Sequence, residues 1–594
     1  MNNKDENNIN NILVVFLKCI KLLFSYSKAY VVLTIFANVV LGILPALSLI
    51  LMQKILNQLQ LGSIEISLIV VLIIMYVAID LCNAIITALY NYYTTKISLH
   101  LGKSLTVKLL DKALKLKIED FENTEIYNMI NRAQSEGNSK IISFYTSIIA
   151  AFKALISIFS SLMILMTFEL WIIIPILIIP IIEYIFSLYF SKLQYNIQKK
   201  RTTKERKAWY ITHLITTGIA FKEIRVYKLK KYILEKYQKL TEEIIDQDMN
   251  VVKKSSIIFC ALDIVDLIVS GLIFFYIVFK GALQVILVGD VITYTRCIFN
   301  IRSYIKSIFN VISSVARNSL FAGLYFDFLD LELDIKDELD GIILNSIDNI
   351  EVRNLSYKYA RNSKYTIKDI SFKLTKGKIF ALVGNNGSGK STLIKLLLGF
   401  YDDYEGQILY NGIDVKKISK NSLYALLGTL FQDYIKYEAT VRENVAYGNI
   451  DALHNDSKII EKLKSVHFNF DLINKLELET QLGYWFDDGK QLSMGEWQKI
   501  AIARTTLKDC DFYMLDEPDA SLDINAQHDI LQLYKDISKR KICMIVSHKI
   551  DYIGSFADEV IVLEKGVIIE QGRYEELIAK EKSYLNKAKR NNIK

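Results

Sequence analysis

Gly384-Asn385-Asn386-Gly387-Ser388-Gly389-Lys390-Ser391-Thr392 places glycines, a lysine and hydroxyls in one short loop. An apolar run, Phe380 to Val383, precedes it, and a helical Leu393 to Leu398 follows. Strand, glycine loop and helix in this order make a phosphate cradle. The glycines let backbone N–H groups converge on phosphate oxygens, and the helix N-terminus adds positive potential. Lys390 can then reach the β and γ phosphates, and Ser391 can ligate Mg²⁺. A second apolar run, Phe512 to Leu515, ends in Asp516 and Glu517, two carboxylates at the C-terminal end of a buried strand. Asp516 suits a metal held through water, and Glu517 suits polarisation of an attacking water. A third run, Ile542 to Val546, delivers Ser547 and His548, the latter within reach of a γ-phosphate. Leu492-Ser493-Met494-Gly495-Glu496-Trp497-Gln498-Lys499 then opens another helix with a Ser/Gly loop. That is a second anion-binding element, which a single nucleotide site does not need. Two such elements per chain imply that one chain's loop completes the other chain's site.

The elements that must position these groups fill the second part of a chain of 594 residues, too long for one core. From Ile350 onward the pattern is short alternating strands and turns. The hydrophobic fraction of the whole chain, 52%, is high for a soluble protein, and the excess is concentrated in the first half. A bilayer core about 30 Å thick needs roughly 20 apolar residues per helix. Six windows qualify: Tyr30 to Met52, Ile66 to Tyr90, Ile141 to Thr167, Leu170 to Phe190, Ile257 to Phe279 and Leu283 to Val315. The last is interrupted by Arg296, Arg302 and Lys306. Pro45, Pro175 and Pro180 fall inside windows, where membrane helices tolerate them. Links one, three and five are brief, whereas links two and four are long and rich in Lys and Arg. The positive-inside bias puts the long links and both termini in the cytoplasm. These links are long enough to carry the flanking helices as a stalk beyond the membrane.

The net charge of +8 is accounted for by such cytoplasmic loops, Lys199 to Lys239 above all, so no nucleic-acid partner is expected. The six cysteines lack CxxC or Cys/His spacing, so neither a zinc site nor a disulfide framework is indicated. No cleavable signal peptide is read at the N-terminus. Ile12 to Tyr26, with Lys18, Lys21 and Lys28, reads as an interfacial helix. Asp80, Glu183, Asp263, Asp266, Arg296 and Arg302 fall inside the windows. Because charge is costly in lipid, they are expected to face the bundle interior or an aqueous substrate pathway.

Residues 350–580 resemble the nucleotide-binding domain of ATP-binding cassette (ABC) transporters. Gly384 to Thr392 match the Walker A motif, Phe512 to Glu517 the Walker B motif, and Leu492 to Glu496 the signature loop, usually LSGGQ. Gln432 matches the Q-loop, Asp519 to Asp523 the D-loop and His548 the switch histidine. Tyr359 sits where the family stacks adenine on an aromatic ring. The resemblance implies ATP and Mg²⁺ as cofactors. Ser391, Gln432 and Asp516 stand near the metal, Glu517, His548 and Gln432 are catalytic, and Ser493, Gly495, Glu496 and Asp523 complete the ATP site. Met494 and Glu496 depart from the usual signature glycine and glutamine.

The implied fold is a helical six-span membrane domain joined to an α/β P-loop domain. Residues 1–28 would form the N-terminus and elbow helix, 29–320 the membrane domain, 321–349 a linker and 350–594 the cassette. This arrangement resembles half-size exporters, which work as homodimers in membrane lipid. Coupling helices are expected around Phe121 to Tyr127 and Ile211 to Arg225. The stretches Trp209-Tyr210-Ile211, Phe221 to Arg225 and Thr480 to Phe486 look like those of lantibiotic exporters. That implies a bacterial plasma-membrane exporter of ribosomally made, modified peptides, associated with peptide-modifying enzymes. A multidrug or lipid flippase would share every cassette motif, and an ATP-gated sensor or immunity protein most of them.

Overall fold

The computed structural model describes residues 3–61, 66–122, 126, 129–130, 133–134, 138–218, 220–331, 341–359, 364–468, 477–547, 553–554 and 556–587. The chain divides into two compact units. The first comprises Met1–Leu114 with Thr124–Glu332, and the second Lys115–Asn123 with Leu333–Lys594.

The first unit is helical. Its elements are α1 (Asn3–Tyr26), α2 (Lys28–Leu61) and α3 (Ile66–Leu114), then, after α4 (Ile118–Glu122) of the second unit, α5 (Asn138–Leu165). They continue through α6 (Ile173–Thr216), α7 (Phe221–Val226), α8 (Lys230–Ala282) and α9 (Val288–Leu329). On α1, Val15, Cys19 and Leu23 are buried at four-residue spacing while Lys21 is exposed, the stripe of an amphipathic helix. Among the described residues, five helices are long and apolar enough to cross a membrane, within α2, α3, α5, α6 with its preceding turn, and α8. Helix α9 has the length, 42 residues, but carries Asp290, Arg296, Arg302 and Lys306. Helices α3 and α8 have 49 and 53 residues. At 1.5 Å per residue that is ~75 to 80 Å, far more than a bilayer needs. The long links are therefore continuations of the spanning helices.

One boundary differs from the expectation. The hydropathy pattern starts the sixth window at Leu283, but Leu283 caps α8, Gln284 turns the chain at φ +57°, and α9 starts only at Val288. The Asp290 side chain accepts from the Leu287 N–H at 2.9 Å and so caps that start. Hydropathy cannot see this turn, because its residues are as apolar as the helices they join. Helix α9 also runs to Leu329, so residues 321–329 of the expected linker are helical.

Small residues let these helices approach closely. A Cβ on Gly42 would lie 2.8 Å from the Ile156 side chain, and Ser157 Oγ donates to the Gly42 carbonyl at 3.1 Å. In the stalk, Arg201 of α6 is buried and donates two hydrogen bonds to Asp248 of α8, at 2.8 and 2.9 Å.

The second unit contains two sheets. Strands β1 (Asn349–Tyr357), β2 (Ile367–Thr375), β4 (Glu405–Tyr410) and β5 (Ile413–Asp414) form an antiparallel sheet in the order β2-β1-β4-β5. The other sheet has the order β10-β9-β3-β8-β7-β6. It is built from β3 (Ile379–Val383), β6 (Leu427–Leu430), β7 (Phe512–Asp516), β8 (Ile542–Val546), β9 (Glu559–Glu564) and β10 (Val567–Gly572). All its neighbours are parallel except β10 and β9. Strand β3 is buried on both faces. Ile379, Ala381 and Val383 join one core with Trp497 and Ile500, while Phe380 and Leu382 join the other with Leu393 and Phe372. A strand covered on both sides reads as an unbroken apolar run, which is why it was legible.

Candidate functional site

The phosphate loop leaves the C-terminal end of β3 and feeds helix α10 (Lys390–Leu397). Its glycines are required sterically. A Cβ on Gly384 would lie 2.2 Å from the Leu563 carbonyl oxygen. Gly387 and Gly389 adopt φ of +76° and +106°, which side-chain-bearing residues avoid. Lys390 is buried, and its Nζ donates to the Gly384 and Asn385 carbonyls at 2.7 and 3.1 Å. Burial lowers its pKa, opposed by the charges of Asp516 and Glu517. Ser388 Oγ is buried without a hydrogen-bond partner among the described residues, whereas Asn385, Asn386, Gly387 and Ser391 are exposed at the mouth. A cradle closed to a Cβ, with a helix N-terminus, a lysine and an orphaned hydroxyl, fits the phosphates of a nucleotide.

Neighbouring elements complete this end of the sheet. Tyr359 packs edge-on against Tyr357 and Tyr401, and its hydroxyl lies 3.0 Å from Thr392 Oγ1. Asp516 ends β7 and Glu517 follows at φ +50°, a left-handed conformation that costs about 1 kcal/mol or more outside glycine. Burial, then the adjacent Glu517 charge, pushes the Asp516 carboxyl up to about 6, while Lys390 acts in the opposite direction. Gln432 Nε2 donates to Glu517 Oε2 at 3.1 Å. Ser391, Gln432 and Asp516 carry oxygen atoms of the kind that suits Mg²⁺. His548, expected beside them, lies outside the described residues.

The signature loop caps helix α11 (Met494–Leu507). Exposed Ser493 is the N-cap, its hydroxyl accepting from the Glu496 N–H at 3.2 Å. Gly495 sits where a Cβ would come within 3.0 Å of the Ser521 carbonyl. The two departures from the usual signature have local partners. Lys499 Nζ meets Glu496 Oε1 at 3.0 Å, and Lys436 Nζ meets Met494 Sδ at 2.8 Å. Tyr434 donates to the Met494 carbonyl at 3.2 Å, which joins the segment after Gln432 to this loop. Asp523 caps helix α12 (Ile524–Ser538), accepting from the Ala526 N–H at 2.9 Å.

Sequence reasoning missed two residues. Gln498 is buried; it donates to the Glu517 carbonyl at 3.2 Å and accepts from the Ser521 N–H at 2.9 Å. It thereby fastens the signature helix to the turn that carries the carboxylates. Tyr584 donates to Asn385 Oδ1 at 2.8 Å, tying the C-terminal segment to the phosphate loop. A buried glutamine on an apolar helix face was a signal for the first, whereas nothing local marks the second.

In the helical unit, four of the six expected pathway residues come together. Asp266 of α8 pairs with Arg302 of α9, and Lys306 of α9 lies 2.9 Å from Asp263 and 3.4 Å from Glu183 of α6. Asp80 and Arg296 are exposed and do not join this cluster.

A family model for ABC transporters matches residues 367–520, and one for the ABC transporter transmembrane region matches residues 29–301. The chain belongs to the ABC transporters: it is a multi-pass membrane protein and an ATP-driven exporter, with its membrane region ahead of its cassette. It is 34% identical to the subtilin transport ATP-binding protein SpaT of Bacillus subtilis, over 94% of this chain and 91% of that one. It is 30% identical to the nisin transport ATP-binding protein NisT of Lactococcus lactis subsp. lactis, over 94% and 93%. In fold it is similar to a bacterial Atm1-family ABC exporter solved with ATP bound, with a TM-score of 0.77 at 20% identity, covering 96% of this chain and 98% of that one.

Proposed function

We propose that two copies of this chain form an ATP-hydrolysing exporter that carries a ribosomally made, modified peptide out of a bacterial cytoplasm, with both termini on the cytoplasmic side. The peptide substrate rests on one observation: similarity to the subtilin and nisin transport proteins extends over 94% of the chain, the helical unit included.

Each nucleotide is held between one chain's phosphate loop and the partner's signature loop. Two helix N-termini, α10 and α11, each present an anion-binding loop, and Ser493 is exposed as such a contact requires. Lys390 exchanges its loop carbonyls for phosphate oxygens, and Tyr359 offers its ring to the adenine. Mg²⁺, when bound, supplies charge that neutralises the phosphate oxygens; Ser391, Gln432 and Asp516 would hold it. Glu517 accepts the proton of the attacking water, with Gln432 positioning its carboxylate, and His548 acts as a further catalytic group. Closure of the two cassettes draws the long helical links together and turns the pathway outward, because ATP binds the closed state more tightly.

The test is ATP-dependent uptake of a lantibiotic-type precursor peptide into inside-out membrane vesicles. Uptake should be lost in Glu517→Gln. No uptake above that variant, with ATP still bound, refutes export.

A further inference from the structure

A cavity of about 580 Å³ lies in the helical unit between α8 and α9. Leu267, Phe274 and Phe299 make its apolar wall, and Asp263, Asp266, Arg302 and Lys306 line it as well. The charged groups do not balance. Arg302 and Asp266 are both largely buried and paired with each other, which fixes them. Lys306 forms the ion pairs of the two remaining carboxylates, Asp263 at 2.9 Å and Glu183 at 3.4 Å, which the Arg302 charge also reaches. Glu183 Oε1 is buried without a hydrogen-bond partner among the described residues, and its distance to Lys306 exceeds that of a good charge-assisted bond. Around the cavity, three carboxylates therefore face two cations, and the surplus negative charge lies within spanning helices, where it is costly.

Lys306 differs from Arg302 in what it can give up. Its side chain is 40% exposed, against 10% for Arg302. An ammonium on a flexible stem is also easily exchanged for another cation. We propose that this cavity is a cation subsite of the export pathway: an amine or guanidinium of an amphipathic peptide docks between Glu183 and Asp263 and takes the place of Lys306, while neighbouring apolar side chains rest on Phe274 and Phe299. This rests on the peptide-export reading and deepens it. Lys306 is then an internal substitute for the substrate's charge. Its bridge also ties α9 to α6 and α8, so an arriving cation loosens a link between spanning helices. An anionic substrate would find Arg302 already engaged by Asp266.

The experiment uses the full-length dimer in lipid nanodiscs. Its probe is a fluorescent amphipathic peptide with lysines on its polar face, compared with a twin carrying glutamine at those positions. Without nucleotide, the lysine peptide should bind at least about tenfold more tightly than its twin. In the Glu183→Gln, Asp263→Asn double variant that gap should close. Lys306→Met should tighten binding of the lysine peptide severalfold, whereas Lys306→Arg should not, and a gain in affinity cannot come from misfolding. Equal affinity of the twins on the parent protein, or an unchanged gap in the double variant, overturns the subsite. If vesicles take up both twins equally and with ATP, the export reading survives and only the subsite falls. Binding of neither twin overturns the subsite, and uptake of the precursor peptide by vesicles then decides the export reading.

Discussion

Replacing Gln498 with leucine tests how the signature helix is coupled to the catalytic carboxylates. The side chain is 2% exposed and makes two bonds to backbone, donating to the Glu517 carbonyl at 3.2 Å and accepting from the Ser521 N–H at 2.9 Å. Leucine fills nearly the same volume, so cavity formation contributes little. The Ser521 N–H loses its partner, however, at about 1 to 3 kcal/mol for a buried group left unsatisfied, and the Glu517 carbonyl loses one of two, keeping the Ala520 N–H at 3.3 Å, at about 1 kcal/mol. Part of that is recovered by water, because Ser521 is exposed; a net loss of about 2 kcal/mol follows. The loss is local, so it should appear as easier opening of the turn from Glu517 to Asp523. At 1.4 kcal/mol per factor of ten, amide exchange there should speed up about thirtyfold. Hydrogen exchange with mass spectrometry on the full chain, comparing fragments over this turn with fragments over β8, reads it directly. ATP turnover should fall as well, because the Glu517 carbonyl loses one of its two hydrogen bonds. Unchanged exchange over the turn, or equal acceleration over β8, would refute the reasoning.

A methyl group on Gly384 should abolish nucleotide binding, because its Cβ would lie 2.2 Å from the Leu563 backbone oxygen and the loop must move; the fluorescent-ATP affinity of Gly384→Ala should fall by at least about tenfold. Asp516→Asn should stabilise the protein without nucleotide or metal. The folded protein keeps the Asp516 proton up to about pH 6, above the ordinary carboxyl range, so the cost of its charge is absent in acid, grows as pH rises and is complete above the folded value. That cost is at most about 3 kcal/mol, and unfolding of variant and parent should differ more at about pH 8 than at about pH 5.

The phosphate loop was readable because its residues are contiguous and their types follow from local geometry: positive φ at Gly387 and Gly389, and close approach at Gly384. The sheet strands were readable for a similar reason, since β3, β7 and β8 are nearly continuous apolar runs. Other parts of the site depend on residues far apart in sequence. Gln498 meets Ser521, Tyr584 meets Asn385, and Lys306 meets Glu183 only after folding. The pathway residues were chosen by the cost of charge in lipid, and that criterion cannot separate the clustered Asp263, Asp266, Glu183 and Arg302 from the exposed Asp80 and Arg296. The start of α9 was missed because an apolar turn around Gln284 looks like apolar helix.

Mixed dimers show whether each nucleotide is clasped by two chains. A Lys390→Ala chain is paired with a Gly495→Asp chain through two affinity tags, both in a Glu517→Gln background that retains bound ATP. If the phosphate loop of one chain meets the signature loop of the other, the mixed dimer keeps one intact site and should trap about half as much ATP as the parent, while either variant paired with itself traps none. A mixed dimer that traps no more ATP than the two homodimers would show that each chain binds ATP without its partner's signature loop.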